Sequence, residues 1–379
     1  MGDYVRQMPE ASADLARRPG IAERFHIDVP LLLLLLGLTV FGLVVLYSAS
    51  GQRLGAVVRQ AQYFVIAYLV MIAAAQVGVQ RYRRWAPALY LGGVALLLAV
   101  LFMGTGAKGA QRWLSIGGFR FQPSEIMKIV VPLTLAWYLA PRVLPPRFVH
   151  ILVSLIILAV PAALVIRQPD LGTALLVAAS GLIVLFMAGI SWRFIFGAGV
   201  LAVLSAWPAW MYLLHDYQRQ RILTLLNPES DKLGTGWNII QSKTAIGSGG
   251  WSGKGWLNGT QSQLDFLPES HTDFIIAVLA EEFGLRGVLV LLGFYLLILV
   301  RGFWIGLHAQ DGFSRLIAAG LTLTFFIYVF VNMGMVSGLL PVVGVPLPLV
   351  SAGGTSIVTL MAGFGVLMAV STEKRLVGQ

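Results

Sequence analysis

A chain of 379 residues that is 57% hydrophobic and only 12% charged has more apolar surface than one aqueous core can bury, since soluble domains carry roughly a quarter of their residues as charges. The formal net charge is +10, but its basic residues lie mainly between apolar runs, which points to membrane topology and anionic headgroups rather than nucleic acid. With no cysteine, disulfides and thiolate metal sites are excluded.

The first 28 residues are polar and mixed in charge, too acidic for a signal-peptide leader, and no small-residue cleavage site follows the first apolar run. That run is therefore expected to stay as a span, with residues 1–28 forming an N-terminal tail. A spanning helix needs about 20 mostly apolar residues. Ten stretches qualify, near 29–50, 58–79, 86–104, 123–140, 149–166, 171–190, 193–213, 285–302, 315–338 and 348–371. Only Arg167-Gln168-Pro169-Asp170 separates the fifth from the sixth, and proline forces that break. The expected architecture is an all-α polytopic membrane protein, a single ten-span domain over 29–371 with a tail at 372–379.

Arginine and lysine counts set the orientation. Arg81, Arg83, Arg84, Arg142, Arg147, Arg193, Arg301, Arg315, Lys374 and Arg375, with the N-terminal arginines, load one set of loops. Both termini should then be cytoplasmic. Residues 214–272, polar and rich in glycine and tryptophan, form a large loop on the opposite, outer side between the seventh and eighth spans. Loops of that length on a rigid scaffold are usually functional. From Asp273 to Phe283 the chain is apolar but ends at Glu281-Glu282 and Gly284, which reads as a short helix dipping into the protein before the eighth span.

The outer side carries charges that topology does not call for: Arg59, Lys108, Arg112, Arg120, Lys128 and Arg167. Lys128 follows Gln122-Pro123-Ser124-Glu125 by about one helical turn, at a depth where an ionisable group faces a cavity or partner, or snorkels to the interface. Asp170 could pair with it or cap the sixth span. Fixed cations here suit a pyrophosphate headgroup, which arginine grips in a bidentate fashion and lysine as a point charge. Asp273 opens an apolar helix where the long loop meets the membrane. It is the best candidate for a base, with an N-cap as the plain alternative. Glu269 reads as a loop contact, Glu281 as a helix-end charge, and His271 as a hydrogen-bonding neighbour, since no second histidine lies at ligand spacing.

The run Gly247-Ser248-Gly249-Gly250-Trp251-Ser252-Gly253-Lys254-Gly255 is not a phosphate loop, because the Walker spacing and the following Ser or Thr are missing. A flexible loop edge is its simpler use. Near the end, the prolines and glycines of residues 338–348 cannot continue a helix, and Ser351-Ala352-Gly353-Gly354-Thr355 permits close approach of backbone or substrate.

Taken together, these segments resemble the SEDS family (shape, elongation, division, sporulation), and its elongation branch in Gram-negative bacteria most closely. The matching residues are Lys108-Gly109-Ala110-Gln111-Arg112-Trp113-Leu114, Arg120-Phe121-Gln122-Pro123-Ser124-Glu125 with Lys128, Gln168-Pro169-Asp170-Leu171-Gly172-Thr173, His271-Thr272-Asp273-Phe274, and Asn332 through Gly338, Pro341 and Gly344 to Ser351-Ala352-Gly353-Gly354-Thr355-Ser356. Ala352 stands where tyrosine is common.

The resemblance implies a glycosyltransferase that polymerises lipid II into β-1,4-linked glycan at the periplasmic face of the inner membrane and releases undecaprenyl pyrophosphate. It also implies a class B penicillin-binding transpeptidase as partner, together with other elongation-complex membrane proteins. Asp273 matches the family's essential aspartate; Arg59, Lys128 and Asp170 match polar residues of its central cavity. An α-linked donor giving a β product requires inversion, so one displacement with Asp273 as base suffices. Arg59, Arg112, Arg120 and Lys128 would hold the donor pyrophosphate. No certain cofactor follows; a divalent cation, Mg or Mn, is compatible with the leaving group, although no dedicated metal site is visible. On composition alone a precursor flippase, or a non-catalytic scaffold of the elongation complex, competes with this reading.

Overall fold

Lipid offers no hydrogen bonds, so a chain of this composition satisfies its backbone by coiling. The computed structural model describes residues 25–373, apart from 108–109, 117–118, 215, 232–233, 264–266 and 268. Lys108, Lys374 and Arg375, and most of both expected tails, lie outside the described residues. The long helices are α1 Val29–Ala49, α2 Leu54–Ala75, α3 Val79–Met103, α4 Pro123–Leu139, α5 Phe148–Arg167, α6 Leu171–Met187 and α7 Trp192–Pro208. After α8 Asp216–Leu226 and α9 Thr235–Gly249 come α10 Ile275–Leu307, α11 Gly312–Val336 and α12 Thr355–Thr372.

Eight helices among the described residues are long and apolar enough to cross a membrane. The fourth and sixth expected spans are shorter, with α4 and α6 helical over 17 residues each. Their position explains this. α4 packs on α3, α5, α6, α11 and α12, so protein rather than lipid surrounds most of it. α7, by contrast, is exposed along its described length, with Phe196, Val203, Leu204 and Trp207 facing outward.

The expectation of an all-α chain needs correction. Between α3 and α4 stands a small antiparallel sheet in the order β1-β2-β3, with β1 Thr105–Ala107, β2 Ala110–Ile116 and β3 Phe119–Phe121. Trp113 pairs with Thr105, and Ser115 with Arg120. In the sequence, the pairs Lys108-Gly109 and Gly117-Gly118, which lie outside the described residues, separate the strands and have the glycine content that short hairpins favour. That signal was available in the sequence.

The dip before the eighth span is present. Gly284 takes φ 64°, ψ −161° and breaks α10 into a short helix and a long one. A break of this kind frees backbone groups, and residues 250–255 recover them. Lys254 and Gly255 N–H donate to the carbonyls of Glu281 and Glu282, both at 2.9 Å, while Leu285 N–H donates to Gly250 O at 2.9 Å. The glycine run is therefore not a flexible edge. A Cβ on Gly284 would lie 2.4 Å from Gly253 N, and one on Gly253 would lie 2.1 Å from Glu282 O.

At the end of the bundle opposite the sheet, one carboxylate ties three helices together. Asp28 caps α1 through Leu31 N–H at 3.0 Å, accepts both Nε (3.0 Å) and Nη2 (2.7 Å) of Arg301 from α10, and accepts the Ser371 hydroxyl of α12 at 2.6 Å. Its side chain is 2% exposed and that of Arg301 22%.

Two outcomes follow for thermal unfolding in detergent. Asp28→Ala leaves a largely buried guanidinium without its partner and should cost about 2–3 kcal/mol, at the lower end because Arg301 keeps some solvent. Gly284→Ala combines a strained φ with a backbone clash and should cost about 2 kcal/mol or more. An unchanged melting temperature in either variant would contradict this account.

Candidate functional site

The sheet end of the bundle gathers the polar residues, and α11 is their common wall. On α4, Glu125 and Lys128 stand one turn apart and form an ion pair at 2.6 Å, 9% and 5% exposed. The Lys128 ammonium also lies 4.5 Å from the ring centroid of Tyr328 on α11. Glu125, Lys128, Thr324, Tyr328 and Thr359 line one side of a cavity between α4, α11 and α12. Lys128 was expected to face a cavity or a partner; it lines a cavity and pairs with Glu125, while Asp170, the alternative partner, serves as an N-cap. The helical i, i+3 spacing brings these two together whatever the packing.

Asp170 is the N-cap of α6. Its Oδ1 accepts Thr173 N–H at 3.2 Å, and its Oδ2 accepts the Thr173 hydroxyl at 3.0 Å and Gln122 Nε2 at 3.1 Å. Arg112 of β2 reaches the same corner, with Nη2 donating to Pro169 O and Nε 3.8 Å from Asp170 Oδ2. The sheet is thus fastened to the break between α5 and α6. Arg59 on α2 and Arg120 on β3 are exposed, and their side chains make no ion pair among the described residues. The structure therefore brings Arg112 and Asp170 together beside the wall that holds Lys128, while Arg59 and Arg120 remain exposed and without an ion pair among the described residues.

Asp273 lies in the turn that precedes α10, half-buried. It does not cap the helix: Phe274 holds the N-cap position, and no side-chain cap bond is made. Nor does it form an ion pair among the described residues. Burial, with the nearby charge of Glu269 adding to it, raises its carboxyl from the ordinary 3.8 to about 6. A carboxylate so placed remains ionised at neutral pH yet is far more basic than an exposed one. Glu269 itself is exposed and accepts the Thr272 hydroxyl at 2.7 Å. His271 is also exposed, and its carbonyl accepts Ala352 N–H at 2.9 Å.

The non-helical segment 338–354 forms the other side. A Cβ on Gly172, near the start of α6, would lie 2.8 Å from Val343 O, and one on Gly344 would lie 3.4 Å from Asp273 Oδ2. The segment is thus wedged between the Asp170 corner and Asp273. Gln60 of α2, 4% exposed, grips it further along, donating to Ser351 O at 3.2 Å and accepting Gly353 N–H at 3.3 Å. Gln60 was not anticipated as a site residue. The available signal was an amide inside an apolar span, which is costly unless it is used.

Glu281 is 0% exposed and more than a helix-end charge. Its Oε1 takes Lys254 Nζ at 2.7 Å, Thr260 N–H at 2.8 Å, Thr260 Oγ1 at 3.0 Å and Gln261 N–H at 3.1 Å. It thereby seats the loop on the short helix that begins just after Asp273, while the Ser48 hydroxyl of α1 donates to the neighbouring Glu282. Among the described residues, no three His, Asp or Glu side chains converge in a way that would hold a metal ion.

Comparison with known proteins places this geometry. The model of the FtsW/RodA/SpoVE cell cycle protein family matches residues 29–376. The chain is 53% identical to peptidoglycan glycosyltransferase MrdB of Escherichia coli K12 over 358 residues, covering 94% of this chain and 96% of that one. It is 39% identical to a probable peptidoglycan glycosyltransferase FtsW of Trichlorobacter lovleyi, covering 92% and 94%. Among solved structures, a chain of a peptidoglycan synthase complex that coordinates polymerization and crosslinking superposes with TM-score 0.81 at 32% identity, covering 91% and 97%. The rod shape determining protein RodA of Thermus thermophilus superposes with TM-score 0.69 at 29% identity, covering 91% and 96%. A family match across nearly the whole membrane body, with the same helical fold, leads to one conclusion: the chain belongs to the FtsW/RodA/SpoVE, or SEDS, family.

Proposed function

We propose that this chain is a peptidoglycan glycosyltransferase that polymerises lipid II at the periplasmic face of the inner membrane during rod-shape elongation. The observation that carries the reading is the 53% identity to a peptidoglycan glycosyltransferase over 94% of the chain. The state of Asp273 supplies the chemistry. In this reading α4 and α6 complete ten spans, both termini are cytoplasmic, and residues 214–272 are periplasmic.

Asp273 takes the proton from the acceptor sugar hydroxyl as that oxygen attacks the anomeric carbon of the donor. The bond from that carbon to pyrophosphate breaks, the configuration inverts, and undecaprenyl pyrophosphate leaves with its negative charge held by Arg59, Arg112 and Arg120. Lys128 is already neutralised by Glu125, so its part is to orient donor phosphate and the cavity wall rather than to add net charge. The described residues do not by themselves build a cation site, so no step is assigned to Mg or Mn. The partner is a class B penicillin-binding transpeptidase, a pairing supported by the likeness to a chain from a polymerizing and crosslinking complex.

Purified with its transpeptidase and given labelled lipid II, the intact chain should make glycan polymer. Asp273→Ala should reduce the rate by about 10²-fold or more, the range of general-base contributions. Undiminished polymer from that variant would remove Asp273 as base, and lipid II translocation without polymer would favour a flippase instead.

The raised carboxyl predicts the pH profile. A base with its proton affinity pushed to about 6 loses its working form as pH falls through that value, so the acid limb should lie near 6 rather than near 4. Lys128→Met leaves Glu125 buried and unpaired, at a cost of about 3 kcal/mol. Adding Glu125→Gln should restore most of the stability but little of the rate. Recovery of both would show that the pair serves only packing.

A further inference from the structure

We infer that Asn332 is a positioning residue for Asp273: its buried side-chain amide bridges the backbone of Asp273 to the segment that walls the Asp273 carboxylate. The inference rests on the reading of Asp273 as the base.

Asn332 stands one turn above Tyr328 on α11 and is 0% exposed. Its Nδ2 donates one proton to Asp273 O at 2.9 Å and the other to Val345 O at 2.7 Å. Val345 adjoins Gly344, the residue whose Cβ, if present, would press to 3.4 Å from Asp273 Oδ2. One side chain therefore sets both the main chain that carries the carboxylate and the wall beside it.

The neighbouring contacts show why a tether is needed. The carbonyls of His271, Thr272 and Asp273 precede the first helical turn of α10 and have no partner within it. Ala352 N–H serves His271 O at 2.9 Å, the Ser351 hydroxyl serves Thr272 O, and Asn332 serves Asp273 O. Ser351 Oγ in turn accepts Leu347 N–H at 2.9 Å. All three donors come from the C-terminal third of the chain, and Asn332 is the one that reaches the candidate base itself.

Few side chains can replace it. Aspartate would turn an oxygen toward two carbonyl oxygens, leucine has the bulk but no protons to donate, and serine is too short to span both acceptors. With the tether gone, the turn relaxes toward solvent and the carboxylate loses its half-buried position. A displacement of about 1 Å at a reacting group costs on the order of 10²-fold in rate.

The test uses the full chain with its transpeptidase, labelled lipid II, and Asn332→Leu beside the intact protein. The expected result is a fall in kcat of at least about tenfold with KM for lipid II within about threefold, the signature of lost positioning rather than lost binding. The acid limb of the rate profile should move from near 6 toward the ordinary carboxylate value. Hydrogen exchange of the peptide spanning 269–276 should accelerate, with α2 and α12 unchanged.

Unaltered exchange, or faster exchange with unaltered kcat and pH profile, overturns the proposal. If Asn332→Leu does not fold, Asn332→Ser provides the same readouts at smaller amplitude. Asp273→Ala run alongside separates the two readings. Activity retained there overturns the base assignment, while exchange in the Asn332 variants still decides the tether.

Discussion

Asn332 Nδ2 on the Asp273 carbonyl is one instance of the constraint that shapes the site. A backbone that leaves the helix in a lipid-facing body must find its hydrogen bonds within the protein, because an unmet carbonyl or N–H costs several kcal/mol there. The chain leaves the helix at two places that matter. At Gly284 the freed groups are met by residues 250–255, and at His271–Asp273 by Asn332, Ser351 and Ala352. The long loop and the C-terminal segment are therefore parts of the framework that holds the short helix, and Asp273 stands at the start of that helix.

Electrostatics sort the polar residues in the same way. Lys128 with Glu125, Asp170 with Arg112, Arg301 with Asp28 and Lys254 with Glu281 are each paired, which offsets the cost of taking charge out of water. Asp273 is set apart. It is half-buried, unpaired among the described residues, and shifted toward neutrality by burial and by Glu269. A group kept in that condition suits the base role proposed for it, and Arg59 and Arg120 stay exposed and unpaired among the described residues. The division separates charges held by a partner in the fold from charges that have none among the described residues.

Much of this was legible in advance for local reasons. Apolar runs of spanning length, the proline break at Pro169 and the charge-then-glycine sequence at Glu281-Glu282-Gly284 are each properties of a few consecutive residues. The sheet was legible too, from glycines at two-residue connections, but the prevailing apolarity hid it. The role of Glu281 was not legible. A glutamate near a helix break looks solvated until Lys254, Thr260 and Gln261, some twenty residues away, close over it.

By itself the sequence determined that the chain crosses a membrane many times, which family it resembles, and which residues are too polar for lipid to tolerate idly. Hydropathy and motif spacing are short-range quantities and can be read without a fold. Only the tertiary structure decided which polar groups meet: Glu125 rather than Asp170 for Lys128, the Pro169–Asp170 corner for Arg112, and Asn332 for the backbone of Asp273. Those pairings depend on how helices far apart in the chain pack together. Asn332 and Asp273 are 59 residues apart, and Ser351 and Thr272 are 79 apart. Nothing local in the sequence encodes such a distance; the packing of α11 against the start of α10 does.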